Sequence, residues 1–94
     1  KLYKLQNINS DMKTEKQIKD RIEKWQDKID ESGKNAKYKY RRVRDCLKDC
    51  IGKDDRIVDA MIPNLRIKRD RLINNQGKNL YNQMIGELMW ILDY

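Results

Sequence analysis

The sequence contains no histidine, the side chain that most often performs general acid–base catalysis near neutral pH. The motifs G-x-G-x-x-G and G-x-x-x-x-G-K-[ST], which bind phosphates, and the nucleophile motif G-x-S-x-G do not occur in it either. The adjacent carboxylates Asp54 and Asp55 would point about 100° apart on a helix, so they fit a helix cap and first turn better than a catalytic pair. We therefore expect a protein that is not an enzyme.

Cysteine is scarce, and Cys46 and Cys50 are the two that occur. A structural zinc site needs four ligands, which two cysteines without histidine cannot supply unless a second chain adds the others. A disulfide within one helix is disfavoured, because the two side chains run nearly parallel. We expect both thiols to be reduced and to pack as small apolar side chains between helices, with no metal and no cofactor.

Long hydrophobic runs are also missing from the sequence. No stretch approaches the roughly 20 apolar residues that cross a bilayer, so we expect no transmembrane segment. The first residues show no secretory hydrophobic region, and two cysteines form no dense disulfide framework, which favours an intracellular location. Because the sequence starts with Lys1 and not with methionine, we expect a processed form or a domain excised from a longer protein.

Apolar residues recur at every third or fourth position almost throughout, which is the period of an α-helix. We predict an all-α fold, with residues 1–94 forming a single helical domain and a small bundle of about four helices. The predicted helices lie near residues 18–31, 36–51, 55–75 and 80–93, and residues 1–10 are an arm or an extra turn. We expect a kink at Pro63, because an internal proline removes one backbone hydrogen bond and clashes with the preceding turn.

Short-range signals indicate where the helices begin and end. Thr14 and Gln17 have the spacing of a capping box for the first helix, with Ser10 as a rival cap. The segment "NNQG" at residues 74–77 is expected to end the third helix. Asn79 is then the expected cap of the fourth helix.

Positive charge is concentrated in one part of the chain. The sequence has 22 lysines and arginines against 15 acidic residues, which gives a net charge of +7. This balance favours an anionic partner: a nucleic acid, an acidic protein or a lipid surface. Residues 34–53 hold eight basic and two acidic residues and therefore carry +6 of the total.

Four of these basic residues follow one another at spacings of four, three and four, and they would form one row along the second helix: Lys37, Arg41, Arg44 and Lys48. The row is about 16 Å long. Its arginines, both expected to point outward, would bind phosphate oxygens in a forked geometry. Tyr38 would stack on a base or bond to a phosphate. The third helix adds three more basic residues: Arg66, Lys68 and Arg69.

The row predicts a non-enzymatic module that binds a nucleic-acid backbone, alone or as a subunit of a larger nucleoprotein complex. Affinity would come mainly from phosphate contacts and would fall steeply with salt. The structural alternative is that the row only keeps the protein in solution. Nothing in the sequence indicates readout of specific bases.

The last helix suggests a different function. Its helical wheel separates an apolar half from a polar half that contains Glu87, and Trp90 lies among the polar residues. An exposed tryptophan beside a wide apolar face is typical of a protein interface. The alternative prediction is therefore a helical protein–protein interaction or oligomerisation module, whose partner or second copy contacts Trp90, Met89 and Tyr94.

Overall fold

The computed structural model describes residues 12–93, which form four α-helices. These are α1 (Glu15–Glu31), α2 (Lys34–Cys50), α3 (Asp55–Asp70) and α4 (Asn75–Leu92). No strand occurs within residues 12–93, and the predicted all-α class is confirmed. The arm or extra turn predicted at residues 1–10 lies outside the described residues.

The helices form a thin, elongated bundle in which α1 packs on α2, α2 on α4 and α4 on α3. The bundle measures 48 × 30 × 17 Å along its principal axes. Short connections join α1 to α2 and α3 to α4, so the members of each pair run antiparallel. Because α2 and α3 make no extensive direct contact, they form the two walls of a groove above α4.

The core is built around α4, which contributes more buried residues than any other described helix. Those residues are Leu80, Met84, Ile85, Glu87, Leu88, Ile91 and Leu92. The other helices supply the remaining core side chains, mainly Ile18, Trp25, Val43, Cys46, Leu47, Cys50, Val58 and Ile62. The apolar half of α4 is therefore an internal surface of the domain.

Two of the expected helix starts are confirmed. The Thr14 hydroxyl accepts from the Gln17 N–H at 3.2 Å, and the Gln17 side chain accepts from the Thr14 N–H at 2.8 Å, which completes the predicted capping box. At the start of α3, Asp54 Oδ1 accepts from the Ile57 N–H at 3.0 Å. Between α2 and α3 the chain turns at Gly52, whose φ of 82° is in the left-handed region that favours glycine.

The boundary between α3 and α4 differs from the prediction. Helix α3 ends at Asp70 and not near residue 75, and α4 begins at Asn75 and not near residue 80. Asn74 caps α4 in place of Asn79, because its Oδ1 accepts from the Gly77 N–H at 2.7 Å. The extra turn, residues 75–79, is polar apart from Gly77, so no hydrophobic period reveals it.

Close packing also fixes this boundary. A Cβ atom at position 77 would lie 2.9 Å from Leu72 Cδ1 and 3.1 Å from the capping oxygen of Asn74. The lack of a side chain at Gly77 therefore lets Leu72 fold back on the first turn of α4. Farther back in the chain, α3 continues through Pro63. The kink at Pro63 stays a prediction.

Candidate nucleic-acid interface

The basic row on α2 (Lys37, Arg41, Arg44 and Lys48) contains three cations that have no ion-pair partner among the described residues. Arg41 and Lys48 are exposed and Lys37 is half-buried. None of these three makes an ion pair or a side-chain hydrogen bond within residues 12–93. Among the described residues, no acidic side chain neutralises these three cations.

Arg44, the fourth member of the row, is already occupied. Its Nη1 donates to Gln26 Oε1 of α1 at 2.7 Å, and its Nε donates to Asp45 Oδ1 at 3.0 Å. Only 19% of its side chain is exposed. The expectation that Arg44 points outward like Arg41 was therefore wrong, because the helical wheel of α2 does not show that α1 lies against that edge.

Tyr38 is exposed, as a stacking residue would need to be. The residue is 58% exposed, while its hydroxyl accepts from Arg42 Nη1 at 3.0 Å. Arg42 also donates from Nη2 to the Tyr81 hydroxyl of α4 at 3.4 Å, and its guanidinium lies within 6 Å of both ring centres. The hydrogen bond with Tyr81 and then that with Tyr38 raise the pKa of Arg42 against the effect of burial. Arg42 thus connects Tyr38 of α2 with Tyr81 of α4.

The predicted basic residues of α3 are separated from the row. Arg66 and Lys68 are exposed, and Lys68 lines the groove above α4, opposite Asp45 and Asp49 of α2. Arg69 is partly buried, with its Nη1 donating to Asn82 Oδ1 of α4 at 2.8 Å and its Nε to Asp70 at 3.1 Å. The acidic side of α2 therefore faces Lys68, and the basic row lies on a different side of α2.

A second, larger groove lies beside the N-terminal end of the row. It has a volume of about 810 Å³ and is lined by residues 34–40 of α2 and residues 74–83 at the start of α4. Its walls carry two lysines, two tyrosines and five carboxamide side chains, and no carboxylate. Lys34 lines the groove and stands three residues before Lys37, so it continues the row into the groove. The sequence did not reveal this site, because it combines residues about 40 positions apart.

The sequence predicted an exposed Trp90, and the structure contradicts this prediction. It is half-buried and packs against the core, with the Arg21 guanidinium 4.7 Å and the Lys13 ammonium 5.4 Å from its ring centre. Met89 is half-buried as well, and Tyr94 lies outside the described residues. Lys13, which precedes α1, and Arg21 of α1 cover this side of α4, which the wheel of α4 alone could not show. A partner contact at these residues stays a prediction.

Glu87 was placed on the polar half of α4, yet only 6% of it is exposed. Its two carboxylate oxygens accept from Arg21 Nε and Nη2, each at 2.8 Å, and Oε1 also accepts from Trp25 Nε1 at 2.8 Å. Burial acts to raise the pKa of Glu87, but the hydrogen bonds from Arg21 and Trp25 outweigh it and hold this pKa below its usual value. Because its oxygens are satisfied and it lines neither groove, Glu87 fits a structural role: it fastens α1 to α4.

The two cysteines are buried in the core, as predicted. Burial raises the pKa of the Cys46 thiol to about 12 and that of Cys50 to about 11, which keeps both in the unreactive protonated form near neutral pH. Their redox state in the cell stays a prediction. Within residues 12–93 no cluster of three or more His, Cys, Asp or Glu side chains is arranged to hold a metal ion.

None of the four described helices is long and apolar enough to cross a membrane. No protein-family model, no curated protein and no solved structure matches this chain.

Proposed function

We propose that this protein is a non-enzymatic module that binds a nucleic-acid backbone through the basic row on α2. One observation carries the proposal: Lys37, Arg41 and Lys48 lie along one helix without an acidic partner in the described part of the chain. A row of cations without acidic partners attracts a polyanion whose charges also form a row.

The first helix provides an internal comparison. It is as rich in lysine as α2, but two of its four lysines pair with acids one turn away: Lys16 with Asp20 at 3.0 Å and Lys19 with Glu15 at 2.9 Å. Such i,i+4 pairs are the normal pattern of a solvated helix face. Lys37, Arg41 and Lys48 of the row make no such pair within residues 12–93, and this supports binding over a role in solubility alone.

Arg44 has a different role from its neighbours in this proposal. Because its guanidinium is bonded to Gln26 and Asp45, an incoming phosphate would have to displace these partners. Arg44 instead holds α1 against the edge of the row. Arg41 is then the residue that provides a forked contact, while the two lysines act as point charges.

The test compares two double variants that remove the same charge. Arg41→Gln with Lys48→Gln removes two free cations of the row, and Lys16→Gln with Lys19→Gln removes two paired cations of α1. At about 50 mM salt, we expect the first pair to weaken binding of a fluorescent 20-nucleotide strand about tenfold or more, since most of the affinity comes from phosphate contacts.

The α1 variant is expected to bind within about twofold of the unmodified protein. An equal loss in the two variants would mean that net charge alone attracts the strand. If neither single nor double strands bind at about 50 mM salt, the proposal is wrong.

A protein-interaction module is the second candidate function. The apolar half of α4 is used in the core, so the surface that favours this function is a different one. Ile57 and Ile67 of α3, and Ile73 just after it, are exposed. Sedimentation of the unmodified protein and of the Ile57→Ser/Ile67→Ser variant tests this candidate. Concentration-dependent association that the variant loses supports an interface at these isoleucines. If the unmodified protein is monomeric at all concentrations, self-association is excluded.

A further inference from the structure

The larger groove, between the starts of α2 and α4, has side chains that a phosphate backbone does not need. Phosphate oxygens only accept hydrogen bonds, and lysine and arginine suffice to bind them. Asn79 and Gln83 of α4 each offer a donor and an acceptor, both are exposed, and neither makes a side-chain hydrogen bond within residues 12–93. Paired donors and acceptors of this kind match the edge of a nucleobase.

Tyr38 adds a stacking surface on the opposite wall of this groove. Its hydroxyl accepts a hydrogen bond from Arg42 on the next turn of α2, and more than half of the residue is exposed. An exposed aromatic ring is the usual platform for an unpaired base. The volume of about 810 Å³ lies within the range of about 300–1,000 Å³ that is typical of sites for small molecules, so it accommodates a nucleotide.

The groove is also continuous with the basic row. Lys34 lines the groove, and Lys37 and Arg41 follow it at helical spacing on the same side of α2. A strand whose phosphates follow the row would therefore bring a base to Tyr38. In a duplex, the faces and pairing edges of the bases are covered, and neither the ring nor the carboxamides of the groove could reach them.

Resting on the proposed function, we infer that the protein binds single-stranded nucleic acid in preference to duplex, and that the groove takes an unpaired nucleobase. Tyr38 stacks on the base, Asn79 and Gln83 bond to its edge, and Lys34 and Lys39 contact the flanking phosphates. The contribution of stacking to affinity at one base is about 5- to 150-fold.

The experiment separates base contacts from backbone contacts. Binding of the full chain at about 50 mM salt is measured for three labelled ligands of equal length: a 12-nucleotide single strand, the same strand with abasic sites throughout, and the corresponding duplex. The intact strand should bind about fivefold or more tighter than the abasic strand, and also tighter than the duplex. Oligo-dT and oligo-U are compared as the DNA and RNA versions of the intact strand.

Variants locate the base contact in the groove. Tyr38→Ala, and separately Asn79→Ala with Gln83→Ala, should each lower the intact-to-abasic affinity ratio severalfold, while Tyr38→Phe, which keeps the ring, should retain it. Asn64→Ala removes a carboxamide outside this groove and should keep the ratio of the unmodified protein. The α4 variant changes two exposed side chains, so it tests the inference even if Tyr38→Ala destabilises the fold.

The possible failures are distinguishable. Equal binding of intact and abasic strands, or binding of the duplex as tight as that of the single strand, would overturn the inference and leave backbone binding in place. A ratio that stays high in both groove variants would place the base contact elsewhere and also overturn it. Absence of binding to all three ligands would overturn the proposed function itself.

Discussion

Replacing Glu87 by glutamine removes a buried negative charge that joins two helices. In the unmodified protein, Glu87 accepts two hydrogen bonds from Arg21 and one from Trp25, each at 2.8 Å. Glutamine can still accept from Trp25, but its NH₂ group would face a guanidinium donor of Arg21. The Arg21 guanidinium, stacked on Trp90, then loses its counter-charge.

The magnitude follows from the burial of the two partners. Breaking a fully buried ion pair by removing one partner costs about 3–5 kcal/mol. Here the carboxylate is buried but the Arg21 side chain is 34% exposed, so solvent screens part of the lost interaction. We expect Glu87→Gln to lower the free energy of unfolding by about 2–3 kcal/mol. In a domain of this size, that corresponds to a decrease in Tm of at least about 8 °C.

Urea and thermal denaturation, followed by circular dichroism at 222 nm, measure this change. Glu31→Gln is the matched control, because Glu31 is an exposed residue of α1 without an ion pair in the described part of the chain. The control should stay within about 0.5 kcal/mol of the unmodified protein. A Glu87→Gln variant that also stays within about 0.5 kcal/mol would refute the structural role of this carboxylate.

The same carboxylate predicts a dependence on pH. The folded-state pKa of Glu87 is held below the ordinary value of 4.5, so its stabilising contribution is complete above that value and is lost as the pH falls through the folded pKa. The difference in unfolding free energy between the unmodified protein and Glu87→Gln should be constant from pH 7 to pH 5 and shrink at lower pH. Denaturation measured across this range tests the sign, which would be wrong if the difference grew on acidification.

Three further predictions concern a helix cap, a glycine inside α4 and the two buried thiols. Asn74→Ala should cost about 1 kcal/mol in urea denaturation, because α4 loses its cap, whereas Asn79→Ala should cost little; the reverse order would restore the boundary expected from sequence. Gly86→Ala should raise the unfolding free energy by about 0.4–1 kcal/mol, since an added Cβ meets nothing within 4 Å, and a loss of stability would contradict the open space there. Cys46 and Cys50 should react with iodoacetamide at pH 8 only after unfolding, because burial raises both pKa values; rapid modification of the native protein, followed by mass spectrometry, would contradict this.

The sequence predicted the features that depend on neighbouring residues. The capping box at Thr14 and the cap at Asp54 each involve residues within one turn. The packing of Cys46 and Cys50 in the core, one turn apart on α2, was predicted as well. The predicted start of α4 was wrong because both Asn74 and Asn79 are suitable caps. The choice between them is made by a polar turn and by the packing of Leu72 against Gly77.

Features that join distant residues could not be predicted. A helical wheel assigns Glu87 and Trp90 to a solvated side, because it treats one helix at a time; the basic and aromatic residues that cover them lie on α1, more than 60 positions earlier. The same applies to Arg44, whose partner Gln26 is on α1, and to the groove beside Tyr38. The sequence predicted the charge of the row, but it did not show which of its side chains are already bonded within the domain.

The salt dependence of binding tests the central claim most directly, because it counts the phosphates that the row neutralises. For a single strand, each phosphate contact contributes about −0.7 to the slope of log K against log salt concentration. Arg41→Gln with Lys48→Gln should therefore make the slope shallower by about 1.4, and Lys16→Gln with Lys19→Gln should leave it unchanged. An unchanged slope in the Arg41/Lys48 variant, measured by fluorescence anisotropy between about 50 and 200 mM salt, would contradict the assignment of this row as the binding surface.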